Sequence, residues 1–172
     1  MTTTTLQLTD KQQQAVDGAV KVLDDGAGVY RIGGYAGTGK TSIAHCVCED
    51  HRSGLVCAFT GKAAYRLVEK GLYGARTIHK TIYTWDEAIN EFILKPSVPG
   101  SFFLIDEGSM VSFDLWRDVQ SFGLPVILLG DPGQLEPVGK NPHLMRTPDI
   151  VLDQIHRQAA QSGIIRFATD VR

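Results

Sequence analysis

Gly34-Tyr35-Ala36-Gly37-Thr38-Gly39-Lys40-Thr41 decides the reading of this chain. The stretch follows an apolar run, Val29 to Ile32, and precedes a run, Thr41 to Asp50, that can continue as helix. A strand that ends in glycines and passes into a helix aims successive backbone N–H groups and a helix N-terminus at one point, which suits a polyphosphate. Gly37 and Gly39 let the backbone turn tightly and approach an anion with no Cβ in the way. In this pattern Lys40 serves the β- and γ-phosphates and the Thr41 hydroxyl holds Mg²⁺. The stretch is a complete Walker A phosphate loop and implies binding of a nucleoside triphosphate.

Working outward, short apolar strands recur at 29–33, 55–59, 102–105 and 125–129, each bounded by Gly, Pro or Asp. Runs that are apolar throughout are buried on both faces, as in a parallel sheet. Helices are expected at 41–50, 61–70 and 112–121, and an earlier one from Asp10 to Leu23 with Thr9 as its N-cap. The alternation predicts an α/β fold, an open parallel sheet with helices on both faces, whose ligands sit at the C-terminal ends of the strands. The stretch from Tyr83 to Gly100 is longer than a connection needs and could hold a small hairpin or helix, and Gly139 to Pro148 reads as loop.

Two further strands end in chemistry. Ser101-Phe102-Phe103-Leu104-Ile105 runs into Asp106-Glu107. Asp106 suits the water shell of Mg²⁺, and Glu107 is placed to orient and deprotonate an attacking water. A metabolite kinase has no need of the second acid, so the pair favours a hydrolase. The last strand ends in Gly130-Asp131-Pro132-Gly133-Gln134, where Gln134 offers a donor and an acceptor suited to sensing a γ-phosphate or water.

Composition narrows the class. The 172 residues suit one domain, and 43% hydrophobic with 21% charged residues is ordinary for a globular protein. No apolar run approaches the roughly 20 residues that span a bilayer. Met1 to Thr5 lacks the basic-then-apolar pattern of a signal peptide, so a cytoplasmic location is expected. Cys46, Cys48 and Cys57 read as buried thiols, not as a disulfide framework or a metal cluster with His45 and His51. A net charge of −2 gives no global sign of a nucleic-acid partner. Locally, Lys62, Arg66 and Lys70 fall at i, i+4 and i+8, on one face if that segment is helical.

Seven segments in order carry a family resemblance: Leu8 to Ala15, Gly34 to Ser42, Phe59 to Ala64, Thr77 to Lys80, Leu104 to Val111, Gly130 to Val138, and His156 to Ala159 with Ile164-Ile165. Together they resemble the first motor domain of a superfamily 1 helicase of the RecD-like branch, which moves 5′ to 3′ on single-stranded DNA. The resemblance implies a RecA-like P-loop domain over residues 1–172 that binds and hydrolyses ATP with Mg²⁺. It implies that Gln12 reads adenine, and that Gly34, Ala36, Gly37, Thr38, Gly39, Lys40, Thr41 and Ser42 cradle the nucleotide. It places Lys40, Glu107, Gln134 and Arg157 in catalysis, with Arg157 reaching the γ-phosphate, and Thr41 and Asp106 at the metal. It assigns Thr60, Lys62 and His79 to single-stranded DNA, and suggests that residues 83–100 are a small strand-separating insertion bearing Trp85 and Phe92. The chain stops at Arg172, so the second motor domain of the family is expected to be missing, leaving slow hydrolysis and no unwinding. The competing readings are a nucleotide-binding module without turnover and a nucleoside kinase with a RecA-like core.

Overall fold

The computed structural model describes residues 8–134 and 141–154. The chain runs α1 (Asp10–Asp24), β1 (Val29–Gly34), α2 (Lys40–Asp50), β2 (Gly54–Ala58), α3 (Gly61–Glu69), β3 (Arg76–Thr77), α4 (Ile78–Ile82), β4 (Tyr83–Asp86) and β5 (Glu91–Leu94). Then come β6 (Phe102–Asp106), a single 3₁₀ turn (Gly108–Met110), α5 (Phe113–Gln120), β7 (Val126–Gly130) and β8 (Ile150–Leu152).

Six strands form one parallel sheet in the order β3-β2-β6-β7-β1-β8. The strands are buried on both faces because alternate residues point opposite ways. In β6, Phe102 and Leu104 pack with Ile43 and Val47 of α2 and Ala15 of α1. Phe103 and Ile105 pack with Ile82 of α4 and Leu115, Trp116 and Val119 of α5. Helices therefore cover both faces, α1 to α3 on one and α4 and α5 on the other, as the pattern predicts. Each fully buried large apolar side chain contributes about 1.5–3 kcal/mol.

The helices end where local chemistry says they should. Thr9 caps α1 through a full capping box, its hydroxyl accepting from the Gln12 N–H while the Gln12 side chain accepts from the Thr9 N–H. Thr60 caps α3 by accepting from the Ala63 N–H at 3.1 Å.

Three departures from the sequence reading have physical causes. Strand β8 is three residues long and flanked by Asp149 and Asp153; it becomes a strand by pairing with β1, Ile32 opposite Ile150. The two-residue β3 forms only because β2 offers an open edge. Of the three cysteines, Cys57 is buried and its thiol is pushed up to about 11 by that burial, whereas Cys46 and Cys48 are only half-buried. Residues 83–100 contain a hairpin, β4 antiparallel to β5, standing apart from the main sheet as a two-stranded ribbon.

Candidate nucleotide and nucleic-acid site

Strands β1, β7 and β6 lie side by side, so their C-terminal ends bring three loops to one edge. The phosphate loop follows β1, Asp106 closes β6, and Asp131 follows β7. An open cavity of about 650 Å³ there is lined by Tyr35, Ala36, Gly37, Gly39, Lys40, Thr41, Ser42, His45, Lys70 and Asp106. Gly37 at φ +83° and Gly39 at φ +92° occupy the left-handed region that favours glycine, and Gly39 is the N-cap from which α2 starts.

Gly34, Thr38 and Gln12 stand behind the cavity and hold the loop. The Thr38 hydroxyl donates to the Tyr35 carbonyl at 2.9 Å. Gln12, 2% exposed, donates from Nε2 to the Thr38 carbonyl at 2.9 Å, while its Oε1 accepts from the Thr9 N–H at 2.9 Å. Both ends of that amide are thus engaged within the protein, and Gln12 does not line the cavity. Its geometry clamps the phosphate loop to the start of α1.

Lys40 donates from Nζ to the Gly34 carbonyl and, at 3.1 Å, to the Tyr35 carbonyl. Burial holds its pKa below the usual lysine value; Asp106 and Asp131 oppose that shift and Lys70 adds to it. Asp106 accepts from the Glu107 N–H at 3.0 Å. Glu107 sits at φ +57°, a left-handed conformation that costs a non-glycine residue energy and recurs at functional sites. Burial, then the charge of Asp106, raises the Glu107 pKa; the Thr60 hydrogen bond and Arg66 act the other way. That bond runs from the Thr60 hydroxyl to Glu107 Oε2 at 3.4 Å. Gln134 Oε1 accepts from the buried Ser109 hydroxyl at 3.0 Å, tying the loop after β7 to the turn after β6. Arg157 lies outside the described residues.

A second cavity, about 900 Å³, opens between α4 and the hairpin. It is lined by Arg76, Thr77, His79, Lys80, Tyr83, Thr84, Trp85, Phe92 and Lys95. Trp85 and Phe92 are cross-strand partners, 46% and 69% exposed, with ring centroids 5.0 Å apart in an edge-to-face pair. Core packing of these rings, the ordinary fate of aromatics, is excluded. The His79 ring lies 5.7 Å from that of Tyr83, whose hydroxyl donates to Asp118 at 2.5 Å. Burial and Asp118 push the Tyr83 pKa up to about 12.

The three residues expected at DNA all follow the C-terminal ends of the adjacent strands β2 and β3. His79 lines the groove, Thr60 faces Glu107, and Lys62 is exposed on α3. Lys70, expected on the same face as Lys62 and Arg66, is the C-cap of α3 and reaches the phosphate cavity. Sequence reasoning missed Lys95, which donates to the Lys80 and Thr81 carbonyls at 3.1 and 2.8 Å and joins the hairpin to α4. Its only signal was a lysine directly after an apolar strand.

This geometry has counterparts among known proteins. The AAA domain family matches residues 7–172. The ATP-dependent RecD2 DNA helicase of Deinococcus radiodurans is 35% identical over 160 residues, covering 86% of this chain but only 22% of that protein's length. The Pif1 helicase from Bacteroides, in a crystal structure with ADP-AlF3 and ssDNA, is 26% identical with a TM-score of 0.57, over 78% of this chain and 34% of that one. The Pif1 helicase from Candida albicans, 20% identical, shares the fold at a TM-score of 0.66 over 96% of this chain and 44% of that one. The parallel sheet, the phosphate loop and these relatives agree: the chain belongs to the AAA domain family, and its fold is the RecA-like one that the helicases it resembles share.

Proposed function

We propose that this chain is the ATP-binding half of a 5′-to-3′ DNA helicase motor, which hydrolyses ATP with Mg²⁺ and holds single-stranded DNA beside a partner motor domain. The observation that carries the reading is convergence. Lys40, Thr41, Asp106 and Glu107 meet at one end of the sheet, and a basic, aromatic groove opens beside the neighbouring helix α4. The Bacteroides Pif1 structure with ADP-AlF3 and ssDNA supports the same pairing of ligands here.

The cavity's donors fit a metal–nucleotide complex. The Thr41 hydroxyl and the Asp106 carboxylate are hard oxygen ligands in one cavity, the set that suits Mg²⁺. The metal, when bound, neutralises the phosphate charge and fixes its orientation. The protein's own residues do the rest. Lys40 exchanges two loop carbonyls for phosphate oxygens, an exchange helped by carbonyls being weaker partners than anions. Glu107 releases the Thr60 hydroxyl, turns to a water and accepts its proton on the carboxylate. Its raised pKa makes it a better proton acceptor than an ordinary surface glutamate. Gln134 senses the terminal phosphate or the water, and Arg157, which lies outside the described residues, is assigned the γ-phosphate by the family resemblance alone.

DNA binding rests on the groove. Arg76, His79 and Lys80 suit the sugar–phosphate backbone, and the Trp85–Phe92 pair offers faces on which bases stack irrespective of sequence. The hairpin of residues 83–100 is then the small insertion that meets the strand fork. Thr60 and Lys62 extend the path along α3. Residues 1–172 act as one unit in this reading.

The test is ATP turnover and nucleotide release measured with and without oligo-dT. Stimulation by oligo-dT is expected. Turnover indifferent to DNA but dependent on a nucleoside acceptor would replace this reading with a kinase; nucleotide binding with no turnover in either condition would replace it with a binding module.

A further inference from the structure

The phosphate cavity holds a second lysine that the reading above does not use. Lys70 is the C-cap of α3, its N–H donating to the Arg66 carbonyl at 3.1 Å. The next residue, Gly71, turns the chain at φ +91° and passes so close to α2 that a Cβ there would meet His45 Cε1 at 3.2 Å. The His45 ring Nε2 lies 2.5 Å from the Lys70 carbonyl oxygen. A carbonyl only accepts, so that nitrogen carries the proton. His45 stands one turn beyond Thr41 on α2, so the backbone of Lys70 is fixed beside the phosphate loop.

From that anchor Lys70 Nζ donates to Thr41 Oγ1 at 3.2 Å. Thr41 is the hydroxyl that suits a divalent ion, and an ammonium has three donors and no acceptor. A Mg²⁺–oxygen bond is about 2.0–2.1 Å long. Ion and ammonium on one oxygen would then lie within a few ångströms of each other, where like charges repel strongly. Thr41 Oγ1 can serve one or the other. With Lys40 and Lys70 both lining the cavity and Asp106 its one carboxylate among the described residues, the lining carries excess positive charge suited to a polyanion.

We propose that Lys70 is a second phosphate-binding cation of this site, delivered from the end of α3, which takes the place of the divalent ion at Thr41 and supports nucleotide binding when no metal is present. The proposal rests on the nucleotide reading above. Lysine and metal are then alternatives, so each makes the other's contribution smaller, a negative coupling between two ligands of one site. A lysine that merely brushes a hydroxyl in solvent predicts no such coupling.

The experiment uses the whole chain and a fluorescent ATP analogue, titrated once in EDTA and once in excess Mg²⁺, with the unmodified protein, Lys70→Met and Lys70→Arg. A charge-assisted hydrogen bond at a partly exposed site sets the scale, so Lys70→Met should weaken binding about tenfold in EDTA. In Mg²⁺ its affinity should stay within about twofold of the unmodified chain, and Lys70→Arg, which keeps the charge, should restore binding in EDTA. Lys70 is exposed, so circular dichroism should show both variants folded as the unmodified chain is. Equal weakening of Lys70→Met in both buffers would overturn the proposal, since it would mark a general field effect. Unchanged affinity in EDTA would overturn it as well. If the unmodified chain bound the analogue in neither buffer, the nucleotide reading itself would fall and this proposal with it.

Discussion

The phosphate loop and the β4–β5 hairpin answer opposite demands with opposite construction. The loop is mounted on β1, whose end is buried between β7 and β8, and is clamped from behind by Gln12 and Thr38. The hairpin is a free two-stranded ribbon whose β5 residues are all exposed. A catalytic group displaced by about 1 Å can lose on the order of a hundredfold in rate, so the loop needs a rigid frame. Stacking on a flexible polymer tolerates variation in position, because every base presents a face. A two-stranded ribbon alone is marginal in water, and here Lys95 and the Tyr83–Asp118 bond join it to α4 and α5.

If the two regions divide the work in this way, damage to each should read out differently. The largest effect is expected from Glu107→Gln. Turnover should fall about 10²–10⁴-fold while nucleotide affinity is kept, because only the proton acceptor is lost. Glu107 must be ionised to accept a proton, and its pKa is raised by burial and by Asp106. Turnover should therefore decline on acidification at a higher pH than an ordinary carboxylate would produce, and the variant's residual rate should lack that limb. Steady-state rates across pH check both points; an unmodified rate for Glu107→Gln would remove Glu107 from the role.

The next effect is on stability and separates frame from ribbon. Phe103→Ala, in the middle of the sheet, should cost about 3–5 kcal/mol by urea denaturation, from a cavity that the surrounding strands cannot close. Phe92→Ala should cost no more than about 1 kcal/mol, since the ring is already largely in solvent. Comparable losses for the two would show that the hairpin is part of the frame.

Lys40→Ala should weaken nucleotide binding by about 10–100-fold, the scale of a hydrogen bond to a charged group, and leave DNA binding intact. Retained tight nucleotide binding would count against the loop's assignment. An effect of similar size is expected at the groove. Trp85→Ala or Phe92→Ala should each weaken oligo-dT binding by about 1–3 kcal/mol in a fluorescence anisotropy titration, with no change in nucleotide affinity. Loss confined to one base sequence would contradict a stacking platform.

The sequence announced the central strands and the loops that follow them because those signals are local. Apolar runs bounded by Gly and Asp are strands in any context, and Gly37, Gly39, Lys40 and Thr41 declare a phosphate cradle by their spacing. The capping box of Thr9 and Gln12 was half-readable: Thr9 was legible as a cap, whereas the reach of Gln12 to the Thr38 carbonyl depends on α1 packing beside the loop.

Other features were set only by the tertiary fold. The three residues of β8, Ile150-Val151-Leu152, are too short an apolar run to read as a strand alone and need β1 as a template. Trp85 and Phe92 form a pair only once the hairpin's register is set. Helical spacing put Lys70 with Lys62 and Arg66, but that Lys70 meets Thr41 depends on how the end of α3 packs against α2. By itself, then, the sequence determined the α/β class, the phosphate loop and the acidic pair after β6, all of which depend on neighbours along the chain. Which side chains share a cavity was decided by the packing of α1, α3 and the hairpin, because burial and crossing elements set distances that spacing along a chain does not encode.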